Sequence, residues 1–138
     1  MKRYLTDSGI ASDYVNHRLG VRDRALELVM AGCHIGVPTV VLGELLGGIE
    51  WSQTADVNRD RLWHQMKKLR IWPFDKQAAI AYGRIYADLR RIGRPMQQID
   101  IQVAAIAMAL GNTTVVTKDS DLSAVPGLPV TNWAAERS

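Results

Sequence analysis

Ile99-Asp100-Ile101-Gln102-Val103-Ala104-Ala105-Ile106-Ala107-Met108-Ala109-Leu110-Gly111-Asn112-Thr113-Thr114-Val115-Val116-Thr117-Lys118-Asp119 is the stretch that decides the fold. Its first half is apolar almost all round, and Gly111-Asn112 is a stop signal, so Asp100–Leu110 is expected to be a buried helix. Thr113–Thr117 is β-branched at every position and is expected to be a buried strand. Arg3–Thr6 reads as a first short strand, followed by a turn at Asp7-Ser8-Gly9. Arg22–Met30 reads as a helix stopped by Gly32, and His34–Val37 as a core strand. Pro38-Thr39 opens a helix that runs through Ile49, and Val57–Leu69 forms another. Asp75–Arg91 is amphipathic, with Ala78, Tyr82, Ile85, Leu89 and Ile92 in one stripe, and a last strand lies near Leu128–Thr131. Strands that alternate with helices predict an α/β fold in three layers. Its centre is a parallel sheet of four to five short strands, covered on both faces.

At 138 residues the chain has room for a single domain, 1–138, and with 47% hydrophobic residues that domain can bury a core. No apolar run reaches the roughly 18 residues that a membrane helix needs, and the N-terminus lacks a signal-peptide pattern. A cytoplasmic protein is the expectation. The lone Cys33 excludes an internal disulfide and reads as a buried, inert thiol. Ten of the seventeen Lys and Arg fall between Arg59 and Arg94, against three Asp, which leaves that stretch at +7. Such a stretch is either a phosphate-attracting face or an ordinary solvated helix surface.

The acids are the unusual feature. Asp7 follows the first strand and Asp119 follows Thr113–Thr117, so both belong at the carboxyl edge of one sheet, where chemistry collects in such folds. Glu44 interrupts the apolar run Val40-Val41-Leu42-Gly43-Glu44-Leu45-Leu46, and Asp100 heads the apolar helix. Taken singly, each has a structural explanation. Asp7 and Asp119 fit turns, Asp100 fits an N-cap, and Glu44 fits a salt bridge. Together they make four acids, with no lysine or arginine in either apolar helix, and a hard divalent cation would relieve their repulsion. An all-oxygen ligand set suits Mg²⁺ or Mn²⁺ rather than zinc or copper. No phosphate-binding loop or nucleophile elbow is present. His17, His34 and His64 show no ligand spacing, and His34 reads as a core histidine.

Four segments in this order carry a family resemblance. They are Leu5-Thr6-Asp7-Ser8, then Pro38–Glu50, then Gly93-Arg94-Pro95 with Asp100–Ala107 and Val115–Leu122 through Trp133. The chain resembles the PIN-domain ribonucleases that act as toxins in VapBC toxin–antitoxin modules. The resemblance implies an acidic catalytic site of Asp7, Glu44, Asp100 and Asp119, with Asp7, Asp100 and Asp119 on the metal and Glu44 acting through water. It also implies a supporting hydroxyl at Thr117 and a further acid at Asp121. Two positions depart from the pattern. Asp7-Ser8-Gly9 stands where the family usually has Asp-Thr-Asn, and Leu122 replaces a phenylalanine.

The implied activity is an endoribonuclease in which Mg²⁺ (or Mn²⁺) acidifies a water and offsets charge on the phosphate, cutting structured RNA of the tRNA or rRNA class. Arg84, Arg90, Arg91, Arg94 and Lys118 are candidates to grip RNA phosphates. The implied partners are a small VapB-like antitoxin, which sends an arginine into the acidic site, and a second copy of the chain. The alternatives are a catalytically weakened PIN domain that only binds RNA or protein, suggested by Gly9, and, more remotely, a receiver-like phosphoacceptor domain.

Overall fold

The structure is a computed structural model, and it describes residues 2–134. Its strands are β1 (Arg3–Thr6), β2 (His34–Pro38), β3 (Arg70–Trp72), β4 (Thr113–Val116) and β5 (Val130–Thr131). Its helices are α1 (Ser8–Val15), α2 (Val21–Met30), α3 (Thr39–Trp51), α4 (Ala55–Met66), α5 (Lys76–Arg91) and α6 (Gln98–Leu110), with a 3₁₀ helix at Ser120–Ala124. All strand pairs are parallel, in the order β3-β2-β1-β4-β5. α1 and α2 join β1 to β2, α3 and α4 join β2 to β3 at the edge, and α5 and α6 carry the chain back to β4 on the other side of β1. The four helices of the outward path, α1 to α4, pack on one another, while α5 pairs with α6.

Burial follows the sequence pattern. Leu5, Ile35, Val37, Val115 and Val116 are buried in the sheet, and Val103, Ala104, Ile106 and Ala107 of α6 press against it. β4 is buried at every residue, as its β-branched composition predicts. Gly111 and Asn112 both take positive φ, and these two residues end α6 and lead directly into β4.

The structure corrects several sequence-based expectations. Asp7-Ser8-Gly9 is no turn, because Asp7 caps α1, which begins at Ser8. β3 was not expected: it is three residues long, its first two residues are exposed, and Arg70-Ile71-Trp72 offers no alternation to read. α4 stops at Met66, so Leu69 lies beyond it, although still buried. Ile92 lies outside α5 and is exposed, so the apolar stripe of that helix ends at Leu89. His34 is no core histidine: it opens β2 half-buried, with its Nε2 3.2 Å from an Arg70 guanidinium nitrogen. Cys33 is half-buried rather than fully enclosed.

β2 and β3 meet through a glycine. Gly36 pairs in register with Arg70, and the Trp72 ring lies over Gly36 so closely that an added Cβ would fall 2.3 Å from a ring carbon. Gly36→Ala is therefore expected to force β3 outward and to destabilise the protein by about 1–3 kcal/mol, the usual range for overpacking. Urea unfolding checks this. Combining Gly36→Ala with Trp72→Leu should recover part of the loss.

Candidate active site

The parallel register brings the carboxyl ends of β1 and β4 side by side: Leu5 pairs with Val115 and Thr6 with Val116. The Asp7 backbone N–H then donates to the Val116 carbonyl at 3.1 Å, which ties the first acid to the end of β4. Asp7 is only 9% exposed. Its Oδ1 accepts from the Ile10 N–H at 2.9 Å, and the Thr117 side chain lies beside its carboxylate. Burial nevertheless pushes its pKa above the usual carboxylate value and Asp119 adds to the rise, while neighbouring Thr117, the Ile10 bond and the nearby Lys118 ammonium oppose it.

Asp119 caps the 3₁₀ helix, accepting from the Asp121 N–H at 2.9 Å, and its own N–H donates to the Thr117 hydroxyl at 2.9 Å. This sharp turn leaves the Asp119 and Asp121 side chains exposed at the sheet edge. Asp121 is held by Arg94 at 2.9 Å. Asp100 arrives from the opposite direction. Because α6 runs down to β4, its first turn lies at the carboxyl edge. Gln97 is the N-cap and Asp100 sits three residues further on, so Asp100 is not the N-cap. Arg94, Pro95, Gln97, Asp100, Asp119 and Asp121 line a polar cavity of about 230 Å³.

Arg94 lines the same cavity but is paired with Asp121, and the charged groups that shift Asp100 are all acids. Burial raises its pKa most, and Asp119, Asp7, Asp121 and Glu44 each raise it further. The structure thus brings Asp7, Asp100 and Asp119 to one edge, with Asp121 beside them. Glu44 differs from expectation. It is exposed on α3 and lines a neighbouring groove with Ser12, Asn16, Asn58 and Arg61, so it is no buried acid in need of a partner. It acts on Asp100 across space only.

Four of the expected RNA contacts are already engaged: Arg94 with Asp121, Lys118 with Asp13 at 2.5 Å, Arg91 with Asp88 and Arg90 with the Tyr86 hydroxyl. Asp13 was missed by the sequence reading. The available signal was Ile10-Ala11-Ser12-Asp13-Tyr14-Val15, a lone acid in an apolar run like that of Glu44, but only the start of the helix, Ser8-Gly9, is read from the sequence, as part of a turn.

The donor set at this edge is all oxygen and mutually repulsive, which is the chemistry a hard divalent cation resolves. Among the described residues no three His, Cys, Asp or Glu side chains close around a single point.

The PIN domain family model matches residues 4–128. This chain belongs to the PIN domain family. Ribonuclease VapC2 of Rickettsia felis is 25% identical over 130 residues, covering 94% of this chain and 97% of the relative. The tRNA(fMet)-specific endonuclease VapC of Salmonella typhimurium is 29% identical over 97 residues, 70% of this chain and 74% of the relative. Among solved structures, VapBC2 from Rickettsia felis bound to a promoter DNA fragment superposes with a TM-score of 0.87 at 26% identity, over 95% of this chain and 98% of that one. DNA-bound VapBC from Salmonella typhimurium gives 0.87 and 26%, over 97% and 100%. The family match sets aside the receiver-like alternative. Among the described residues no helix of this PIN domain is long and apolar enough to cross a membrane.

The raised pKa of Asp100 has a consequence for the PIN fold without metal. A carboxyl group whose pKa rises on folding weakens the fold once it is charged. The penalty is absent below the unfolded pKa and complete above the folded one, so it grows as pH rises between the two. In EDTA at neutral pH, Asp100→Asn is expected to melt a few degrees above the parent protein. Thermal melts at falling pH should show that gap closing as Asp100 takes up its proton. Equal melting at neutral pH would contradict the electrostatic account.

Proposed function

We propose that this PIN domain is a metal-dependent endoribonuclease and serves as the toxin of a type II toxin–antitoxin pair. The observation that carries the reading is the environment of Asp100, where four further carboxylates raise its pKa and the neighbouring Arg94 is engaged by Asp121. Natural folds rarely keep such a cluster uncompensated. Asp7, Asp100 and Asp119 would hold Mg²⁺ or Mn²⁺, with Glu44 acting through water. When bound, the cation supplies Lewis acidity toward water and offsets charge that develops on the phosphate.

The chain's own residues do the rest. The Ile10 N–H holds the Asp7 carboxylate, and neighbouring Thr117 favours its charged form. The Asp119–Asp121 turn presents Asp119 toward the same edge. Arg61 at the Glu44 groove and exposed Arg84 are positioned to meet phosphates, and the paired Arg91 and Arg94 can exchange weak surface partners for phosphate oxygens. The substrate is structured RNA, and tRNA is the first to test because the Salmonella relative is named for it. The work then lies in the cytoplasm. The partners we infer are a small VapB-like antitoxin, since the similar structures are VapBC assemblies, and a second copy of this chain.

Purified protein with total tRNA and millimolar Mg²⁺ should give discrete fragments, and EDTA should stop the cutting. Asp7→Asn and Asp100→Asn should each reduce cleavage by roughly 100-fold or more, beyond what loss of an outer partner of a metal site costs. Either variant, folded yet cutting at the parent rate, would refute the site. RNA binding without any cutting by the parent protein would instead support the weakened, binding-only reading that Gly9 suggested.

A further inference from the structure

Asp13 and Lys118 come from opposite ends of the chain, and nothing in the proposed chemistry uses them. Asp13 is 3% exposed in the middle of α1, and Lys118 lies between Thr117 and Asp119 in the loop leaving β4. The lysine side chain crosses the first turn of α1 to reach Asp13 Oδ2, and the opening it crosses is Gly9. A Cβ added at Gly9 would already touch the Lys118 Cε at 3.5 Å, and any longer side chain would compete for the same space. Arg18 is the second cation on Asp13, with its Nε 3.7 Å from Oδ1. Compensating the buried acid therefore does not by itself explain why the lysine reaches across.

The endpoints of this crossing explain it. One end is α1, whose cap is Asp7, and the other is the loop that continues directly into Asp119. We propose that Asp13 and Lys118 are positioning residues: buried Asp13 anchors the Lys118 side chain across Gly9, and this strap fixes the Asp119 loop against the Asp7 end of α1. The inference rests on the nuclease reading above for its functional meaning. The ammonium held there also favours the charged form of buried Asp7.

The strap can be separated from three simpler roles. Lys118→Met keeps the stem and removes the charge, Lys118→Arg keeps the charge, and Asp13→Asn with Lys118→Met removes both partners. Mn²⁺ affinity is measured by calorimetry without RNA. Removing a positive charge should by itself tighten cation binding, so weaker binding reports lost positioning. The strap predicts about tenfold weaker Mn²⁺ binding for Lys118→Met and for the double variant, with Lys118→Arg near the parent, in line with losses of outer partners at metal sites. It also predicts a lower kcat with KM for RNA nearly unchanged.

In metal-free protein the Asp119 and Asp121 amides, both hydrogen-bonded in the parent, should exchange with solvent faster in both variants. Recovery in the double variant would mean that Lys118 only neutralises Asp13. Tighter Mn²⁺ binding would leave a purely electrostatic lysine, and a raised KM at constant kcat would make it an RNA contact. Each of these outcomes overturns the proposal, as do unchanged amide exchange rates. If the parent protein cuts no RNA, the nuclease reading falls, and the exchange rates still decide whether the strap exists.

Discussion

β1 and β4 end in step. Arg3 pairs with Thr113, Tyr4 with Thr114, Leu5 with Val115 and Thr6 with Val116, and the ladder closes with the Asp7 N–H on the Val116 carbonyl. Everything at the acidic edge depends on this registration. It sets Asp7 beside Thr117, and it starts the Thr117–Asp121 turn at the height from which Asp119 faces the same space as Asp7. A slip of one residue would turn every β4 side chain to the other face of the sheet. Leu5, Val115 and Val116 are wholly buried, so the core itself forbids the slip.

With the edge set, charge decides its character. The acids gather where helices and strand ends meet, and the cations lie mostly in partnerships on the surrounding surface. Arg59 bridges Glu50 and Asp56, Arg91 holds Asp88, and Arg90 lies against the Tyr86 ring and hydroxyl. Exposed pairs of this kind contribute little stability, so they resist exchange for a phosphate only weakly. The +7 stretch from Arg59 to Arg94 is therefore both a solvated helix surface and a surface able to receive a polyanion. The two explanations describe the same residues in two states.

How much of this the sequence revealed depended on the strength of local patterning. The β-branched run of β4, the apolar α6 with its Gly111-Asn112 stop, and the stripe of α5 were all legible, because periodicity and end signals agreed there. The short α1 was not. Asp-Ser-Gly reads equally well as a turn or as a helix start, and the helix rests on tertiary contacts with α2, α3 and α4. β3 was hidden for the same reason, since it exists only as the edge neighbour of β2. At the site, chain order placed Asp7 and Asp119 at one edge because each follows a strand, while Asp100 joined them through the family resemblance. Glu44 was selected on a mistaken premise of burial: an apolar helix of one layer still turns one side to solvent. The Asp13–Lys118 pair could not be read at all, because it joins the first helix to the last loop.

The position of β1 has a consequence in time. As the central strand it has β2 on one side and β4 on the other, and β4 is nearly the last strand to be synthesised. A chain emerging from a ribosome can form β1, β2 and the first helices early, but the place beside β1 stays empty until Thr113–Val116 has left the exit tunnel. Until then Asp7 has neither Thr117 nor Asp119 as a neighbour. An incomplete or prematurely released chain therefore lacks the assembled edge, whatever else of it has folded. A protein that cuts RNA and is built in this order cannot attack the messages and tRNAs of its own translation before β4 and the loop after it have been made.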